Sequence, residues 1–155
     1  MPITLKIRKI KTDHITENGE HFLNIREMWL YSKENEKIFL EISPVRNTEN
    51  SDIMWEDWNY YNSLRIFKTD YEMLFVPLVE KIFPVIDPDS GEVQDRLDVC
   101  SLNWIGKADT ERLIGIISEE KFGKTAEEQQ FLEKITEYLR HCIDVSGLIL
   151  IEGNL

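Results

Sequence analysis

An α+β fold, a mostly antiparallel sheet with helices packed on one face, follows from three stretches of this sequence. Near the start, Ile3, Leu5 and Ile7 alternate with Thr4, Lys6 and Arg8, the period-two pattern of a half-buried strand. Further on, Ile38, Leu40 and Ile42 repeat that alternation. Toward the end, Thr125-Ala126-Glu127-Glu128 reads as a capping box, with the Thr hydroxyl accepting from the N–H of Glu128 and the Glu128 carboxylate reaching back to the cap. Phe131, Leu132, Ile135, Tyr138, Leu139, Cys142 and Ile143 then recur at three- and four-residue steps, one face of a helix over residues 126–143. Gly147 ends it, and Leu148-Ile149-Leu150-Ile151 follows, apolar at every position. A strand with no polar side has to be covered on both faces, so it is expected in mid-sheet with the helix over it.

The remaining elements are read in order. Asn18-Gly19 suits a tight hairpin turn after the first strand. Residues 22–31 are rich in strand formers, but Leu23 and Ile25 keep one parity while Met28 and Leu30 keep the other, which predicts a bulge near Arg26-Glu27. A turn over residues 32–36 leads into the Ile38–Ile42 strand, so residues 3–43 form a three-stranded antiparallel meander. Across residues 52–67, Ile53, Met54, Trp58, Tyr60, Tyr61, Leu64 and Phe67 share a wide helical face, although Leu64–Phe67 also fits a short strand. Pro77 argues against one helix from Asp70 to Phe83; an extended piece at 73–76 followed by a short helix opening at Pro77 is preferred. Asp87-Pro88-Asp89-Ser90-Gly91 is a turn on composition. Val93 to Trp104 fits a helical stripe or a bulged strand, with the strand preferred. Asp109 caps a further helix over 109–120 that carries Leu113, Ile114, Ile116 and Ile117.

The 155 residues suit a single globular domain, 1–155, with 42% hydrophobic and 30% charged residues. Acids outnumber bases by 29 to 18, a formal net charge of −11. Such a field repels nucleic acid and anionic membrane and speeds encounter with basic partners. The charge is uneven: Lys6, Arg8, Lys9 and Lys11 fall in the first eleven residues, which hold no acid. Two cysteines make no disulfide framework, no signal-peptide pattern opens the chain, and the apolar stretch 73–86 is broken by Pro77, Glu80, Lys81 and Pro84. A cytoplasmic protein is therefore expected. Oligomeric state is not written in the sequence.

Two clusters suggest a binding surface. Trp55, Trp58, Tyr60 and Tyr61 stand among Asp52, Glu56 and Asp57, the mixture of aromatic anchors and acids that would meet a basic protein. The plainer alternative packs the aromatics against the sheet and leaves the acids as a solvated rim. Asp87, Asp89, Glu92, Asp95 and Asp98 crowd twelve residues against a single Arg96. A calcium loop of the EF-hand kind needs an oxygen ligand at its fifth position and Gly at its sixth; Gly91 and Glu92 stand there instead. A solvated acidic turn, or one that meets a partner's lysines and arginines, is the better reading. The residues assigned to partner binding are Trp55, Glu56, Asp57, Trp58, Tyr61, Asp87, Asp89 and Glu92.

No catalytic residues, metal ligands or cofactors are assigned. His14, His21 and His141 lack zinc-ligand spacing, and His141 and Cys142 point about 100° apart on a helix, so they do not make a nucleophile–base pair. Cys142 lies on the apolar face as a buried, inert thiol; Cys100 is read similarly, its burial depending on whether residues 93–104 form a strand or a helix. Gly-x-Ser-x-Gly, Gly-x-x-x-x-Gly-Lys and Gly-x-Gly-x-x-Gly are absent, and seven glycines leave little material for cradling phosphate.

In broad character the chain resembles small bacterial immunity proteins: acidic, cytosolic and without a catalytic constellation. No motif carries that resemblance, so no residue is transferred from it. It implies a non-enzymatic inhibitor that neutralises a basic toxin or nuclease by surface occlusion, with no nucleic-acid or membrane partner. Two alternatives stand beside it: an acidic phage or mobile-element inhibitor of a nucleic-acid-binding machine, and an enzyme whose carboxylates meet only in the fold.

Overall fold

The computed structural model describes residues 3–12, 23–45, 62–88 and 90–154. Its fold is α+β. Six strands, β1 (Lys6–Thr12), β2 (Leu23–Trp29), β3 (Phe39–Pro44), β4 (Ser63–Phe67), β7 (Leu102–Gly106) and β8 (Leu148–Gly153), form one sheet in the order β1-β2-β4-β3-β8-β7. A two-stranded ribbon, β5 (Val85–Ile86) with β6 (Val93–Gln94), stands apart from it. Four of the five pairings in the large sheet are antiparallel; β2 and β4 run parallel. As expected, β8 lies between two neighbours, β3 and β7, with Leu148 to Ile151 all buried.

The meander expected from residues 3–43 does not form, because β4 lies between β2 and β3. The reason is in β4 itself. Leu64 and Ile66 are buried on one face, Ser63 and Phe67 on the other, and a strand covered on both sides belongs inside a sheet. Residues 63–67 are therefore strand rather than the end of a helix; the rest of that proposed helix, up to residue 61, lies outside the described residues, as does the Asn18-Gly19 turn. Nor is there a bulge in β2, which keeps unbroken register with β1 from Lys6↔Trp29 to Thr12↔Leu23. Ile25, Glu27 and Trp29 face one way and Met28 the other, and all four are buried, so the parity change reflects two covered faces. β1 itself starts later than expected, and Ile3 and Ile7 stay exposed at the sheet edge.

From Lys68 to Ile82 the chain is helical throughout: α1 (Lys68–Asp70), a π turn (Tyr71–Phe75), α2 (Val76–Val79) and a 3-10 turn (Glu80–Ile82). The extended piece expected at 73–76 is absent. Widening the turn ahead of Pro77 opens room where its ring would otherwise strike the carbonyl four residues back, so proline is absorbed without breaking the helix. Asp70 does not cap this helix with its side chain. Its buried carboxylate instead accepts from the backbone N–H groups of Leu30 (2.9 Å), Tyr31 (2.7 Å) and Ser32 (3.3 Å), while Ser32 Oγ accepts from Asp70 N. That anchor ties the end of β2 to the helix.

α3 (Lys107–Glu120) starts two residues before the expected boundary. Asp109 sits in its first turn, where a carboxylate favours the helix dipole, and pairs with Arg112 at 2.9 Å. α4 (Ala126–Val145) opens with the predicted capping box: Glu128 N donates to Thr125 Oγ1 at 3.2 Å and Thr125 N to Glu128 Oε1 at 3.0 Å. That bond from the Thr125 backbone, first among several, holds the Glu128 carboxyl below its usual range. Phe131, Leu132, Ile135, Leu139 and Cys142 of α4 and Leu113 and Ile117 of α3 share one buried cluster with Met28, Leu40, Ile42, Leu64, Ile66, Ile105, Ile149 and Ile151 of the sheet. Each such side chain contributes up to about 1.5–3 kcal/mol on burial. Cys142 is buried there as expected, and burial pushes its thiol up to about 12. Among the described residues no helix is long and apolar enough to cross a membrane.

The opposite face of the sheet carries a row of charge. Register places Arg8, Glu27, Arg65 and Glu41 side by side on β1, β2, β4 and β3. Arg8 Nη2 lies 2.5 Å from Glu27 Oε1, and Arg65 bridges Glu27 Oε2 and Glu41 Oε2, each at 3.2 Å. Glu152 of β8 continues the row beside Glu41. Half-burial, and then that neighbouring carboxylate, raise the Glu152 carboxyl above its usual range.

Candidate functional site

The β5–β6 ribbon is built by its turn. Asp87 N donates to Glu92 O at 2.8 Å and Gly91 N to Asp87 O at 2.7 Å, with Gly91 at φ +75, where a side chain would be strained. Ser90 N donates to Asp87 Oδ1 at 3.3 Å, and Glu92 N to Ser90 Oγ at 3.2 Å. The ribbon sets Ile86 opposite Val93, and both project into solvent, 67% and 64% exposed.

From β6 the chain loops through residues 95–101 into the edge strand β7. Two buried residues pin this loop. Leu97 inserts into the main core. Asn103 acts as a hub: its Nδ2 donates to Ile151 O at 2.9 Å, Asp98 O at 2.8 Å and Ser101 O at 3.3 Å, and its Oδ1 accepts from Asp98 N at 2.9 Å and from Gln94 Nε2. The loop also presses on β8, where a Cβ on Gly153 would fall 1.7 Å from Val99 O. Glycine is required there for close approach.

Between ribbon, loop and β7 lies an open bowl of about 440 Å³. Asp87, Glu92, Asp95 and Asp98 line it together with the apolar Val93 and Leu102, the latter 41% exposed, and one cation, Arg96. Asp98 Oδ1 accepts from Cys100 N at 2.9 Å, so part of its charge is spent holding the loop. Among the described residues no three His, Cys, Asp or Glu side chains converge tightly enough to hold a metal ion. The arrangement presents acids around an apolar floor, which suits the aliphatic stem and charged head of a lysine or arginine.

Of the residues assigned to partner binding, Asp87 and Glu92 meet in this bowl. Asp89, Trp55, Glu56, Asp57, Trp58 and Tyr61 lie outside the described residues. The sequence reading missed the apolar members. Val93 reads in sequence as part of a helical stripe or a bulged strand, whereas a two-residue strand sets it on an outward-facing ribbon. Cys100 is exposed rather than buried, since the strand expected to bury it does not begin until Leu102. No family model, curated protein or solved structure matches this chain.

Proposed function

We propose that the chain is a non-catalytic binding protein that occludes a basic protein partner, of the kind an immunity protein neutralises in a toxin or nuclease. The observation that carries this reading is the bowl at the β7 edge, where four carboxylates surround exposed Val93 and Leu102 beside the Ile86–Val93 pair. Acids of one sign steer a cationic surface and set its orientation, while desolvated apolar side chains at the centre supply most of the holding energy. The net charge of −11 adds long-range attraction. Trp55 and Trp58, which lie outside the described residues, are proposed on their sequence alone as aromatic anchors for the same partner.

Affinity capture from the native host, followed by titration with the purified basic partner, tests this. The partner is expected to bind stoichiometrically, with affinity that falls as salt rises. Glu92→Lys combined with Asp95→Lys is expected to weaken binding by about tenfold or more, mainly through slower association. Val93→Asp should speed dissociation instead. A partner whose affinity ignores both changes and also ignores salt would overturn the reading. Trp55→Ala with Trp58→Ala tests the proposed aromatic anchors separately.

A further inference from the structure

The other edge of the sheet is an open strand. β1 stands first in the order β1-β2-β4-β3-β8-β7, so its inner side pairs with β2 and its outer side pairs with no described strand. It runs for seven residues, Lys6–Thr12, without proline, glycine or bulge, in unbroken register with β2. Such a strand offers its outward backbone N–H and C=O groups to any extended chain that can lie beside it.

The side chains decide which chain that is. The strand carries Lys6, Arg8, Lys9 and Lys11 and no acid. Lys6, Ile7, Arg8 and Lys9 are all exposed, Ile7 by 45%. Register sets Ile7 opposite Met28 and Lys9 opposite Arg26 on the helix-covered face, and Lys6 opposite Trp29 and Arg8 opposite Glu27 on the other. Neither Lys6 nor Lys9 has an ion pair with any described residue, and Lys9 against Arg26 is a like-charge pair that destabilises the edge. A second copy paired strand to strand across a two-fold axis would set this run of cations against itself. The same cations that disfavour such a neighbour favour one whose acids fall opposite them.

We propose that β1 is a docking edge for an extended acidic segment of another protein, which adds antiparallel as a seventh strand of the sheet. Opposite Ile10, Lys9, Arg8, Ile7 and Lys6 in turn, the matching segment reads apolar, acid, acid, apolar, acid. Main-chain hydrogen bonds supply a hold that any extended sequence shares, and the side chains select among sequences. The acids also fix the alignment, because a slip of one residue in either direction sets an acid against Ile7. This proposal rests on β1 alone and is independent of the acidic bowl.

NMR titration of the full chain with the capped peptide Thr-Val-Glu-Glu-Val-Glu-Thr, followed by amide hydrogen exchange, tests it. Saturable binding is expected, weakening as salt rises, with slowed exchange at the β1 amides that point away from β2. Lys6→Gln combined with Lys9→Gln, both at exposed positions, should weaken binding by about fivefold. The same peptide N-methylated at two adjacent residues keeps every side chain but lacks a donor on each of its edges, and should bind at least about tenfold more weakly. Equal binding of the methylated peptide would reduce the interaction to attraction between charges and overturn the proposal. It would equally be overturned by unchanged β1 exchange at saturation, or by self-association of the chain that protects the same amides without peptide.

Discussion

The two edges of one sheet have been given opposite chemistry by different means. At the β7 edge, acids stand on a ribbon and a loop whose shape is imposed by buried groups behind them, Leu97 and Asn103. At the β1 edge, the cations Lys9 and Arg26 stand on regular strands, placed by register alone. Five interstrand steps of about 4.8 Å separate the edges by roughly 24 Å, some three Debye lengths at physiological ionic strength. The difference teaches that a net charge describes neither end. Each edge acts as its own electrostatic environment, and changing charge at one should leave affinity at the other within about twofold.

The harshest way to break this comparison is to remove what lies between the edges. Arg65→Met leaves the carboxylates of Glu27 and Glu41 buried without their shared cation, and is expected to cost about 3–5 kcal/mol in urea denaturation. One cooperative transition would show that both ends depend on the row; two transitions would show that they fold apart. Asn103→Ala is next. Losing the hub should cost about 2–4 kcal/mol and raise hydrogen exchange across residues 94–103 while the β1–β2 amides keep their protection. Equal loss of protection at both edges would refute the view that only the acidic end is loop-imposed.

Thiol labelling sharpens the same contrast without mutation. Cys100, exposed in the loop, should alkylate readily at pH 8, whereas Cys142, buried with its thiol pushed up to about 12, should react only after denaturation. The smallest expected effect concerns Glu152, whose carboxyl is raised by half-burial and by Glu41. Above its folded-state pKa the wild type carries an unfavourable charge, so Glu152→Gln should be the more stable by about 0.2–1 kcal/mol. As pH falls through that pKa toward the ordinary carboxylate value, the wild type protonates and the advantage should vanish. An advantage that grows on acidification would show the sign to be wrong.

What the sequence reveals here is what is local. The Thr125–Glu128 box and the α4 stripe are written within a few residues of one another, and β8 declares its central place because four successive residues are apolar. The insertion of β4 is not local: it depends on pairing Leu64 and Ile66 with strands some twenty to forty residues earlier. Asn103 is unremarkable in sequence because its partners sit at 94, 98, 101 and 151. Proline rules misled at Pro77, where one widened turn removes the clash they assume. For the candidate surfaces, the acids of 87–98 were visible as composition, but neither the outward face of Val93 nor the meeting of Lys9 with Arg26 could be seen before strand register was known.

The alternating row Arg8, Glu27, Arg65, Glu41 also bears on how the sheet finds its alignment during folding. A strand that slips by two residues keeps its apolar face inward and so escapes detection by the core. The same slip would move Arg65 off both glutamates and set it against Ile25 or Trp29, leaving Glu41 without its cation and Glu27 with Arg8 alone. The row therefore works as a counting device, rejecting misaligned pairings that hydrophobic contacts alone would accept.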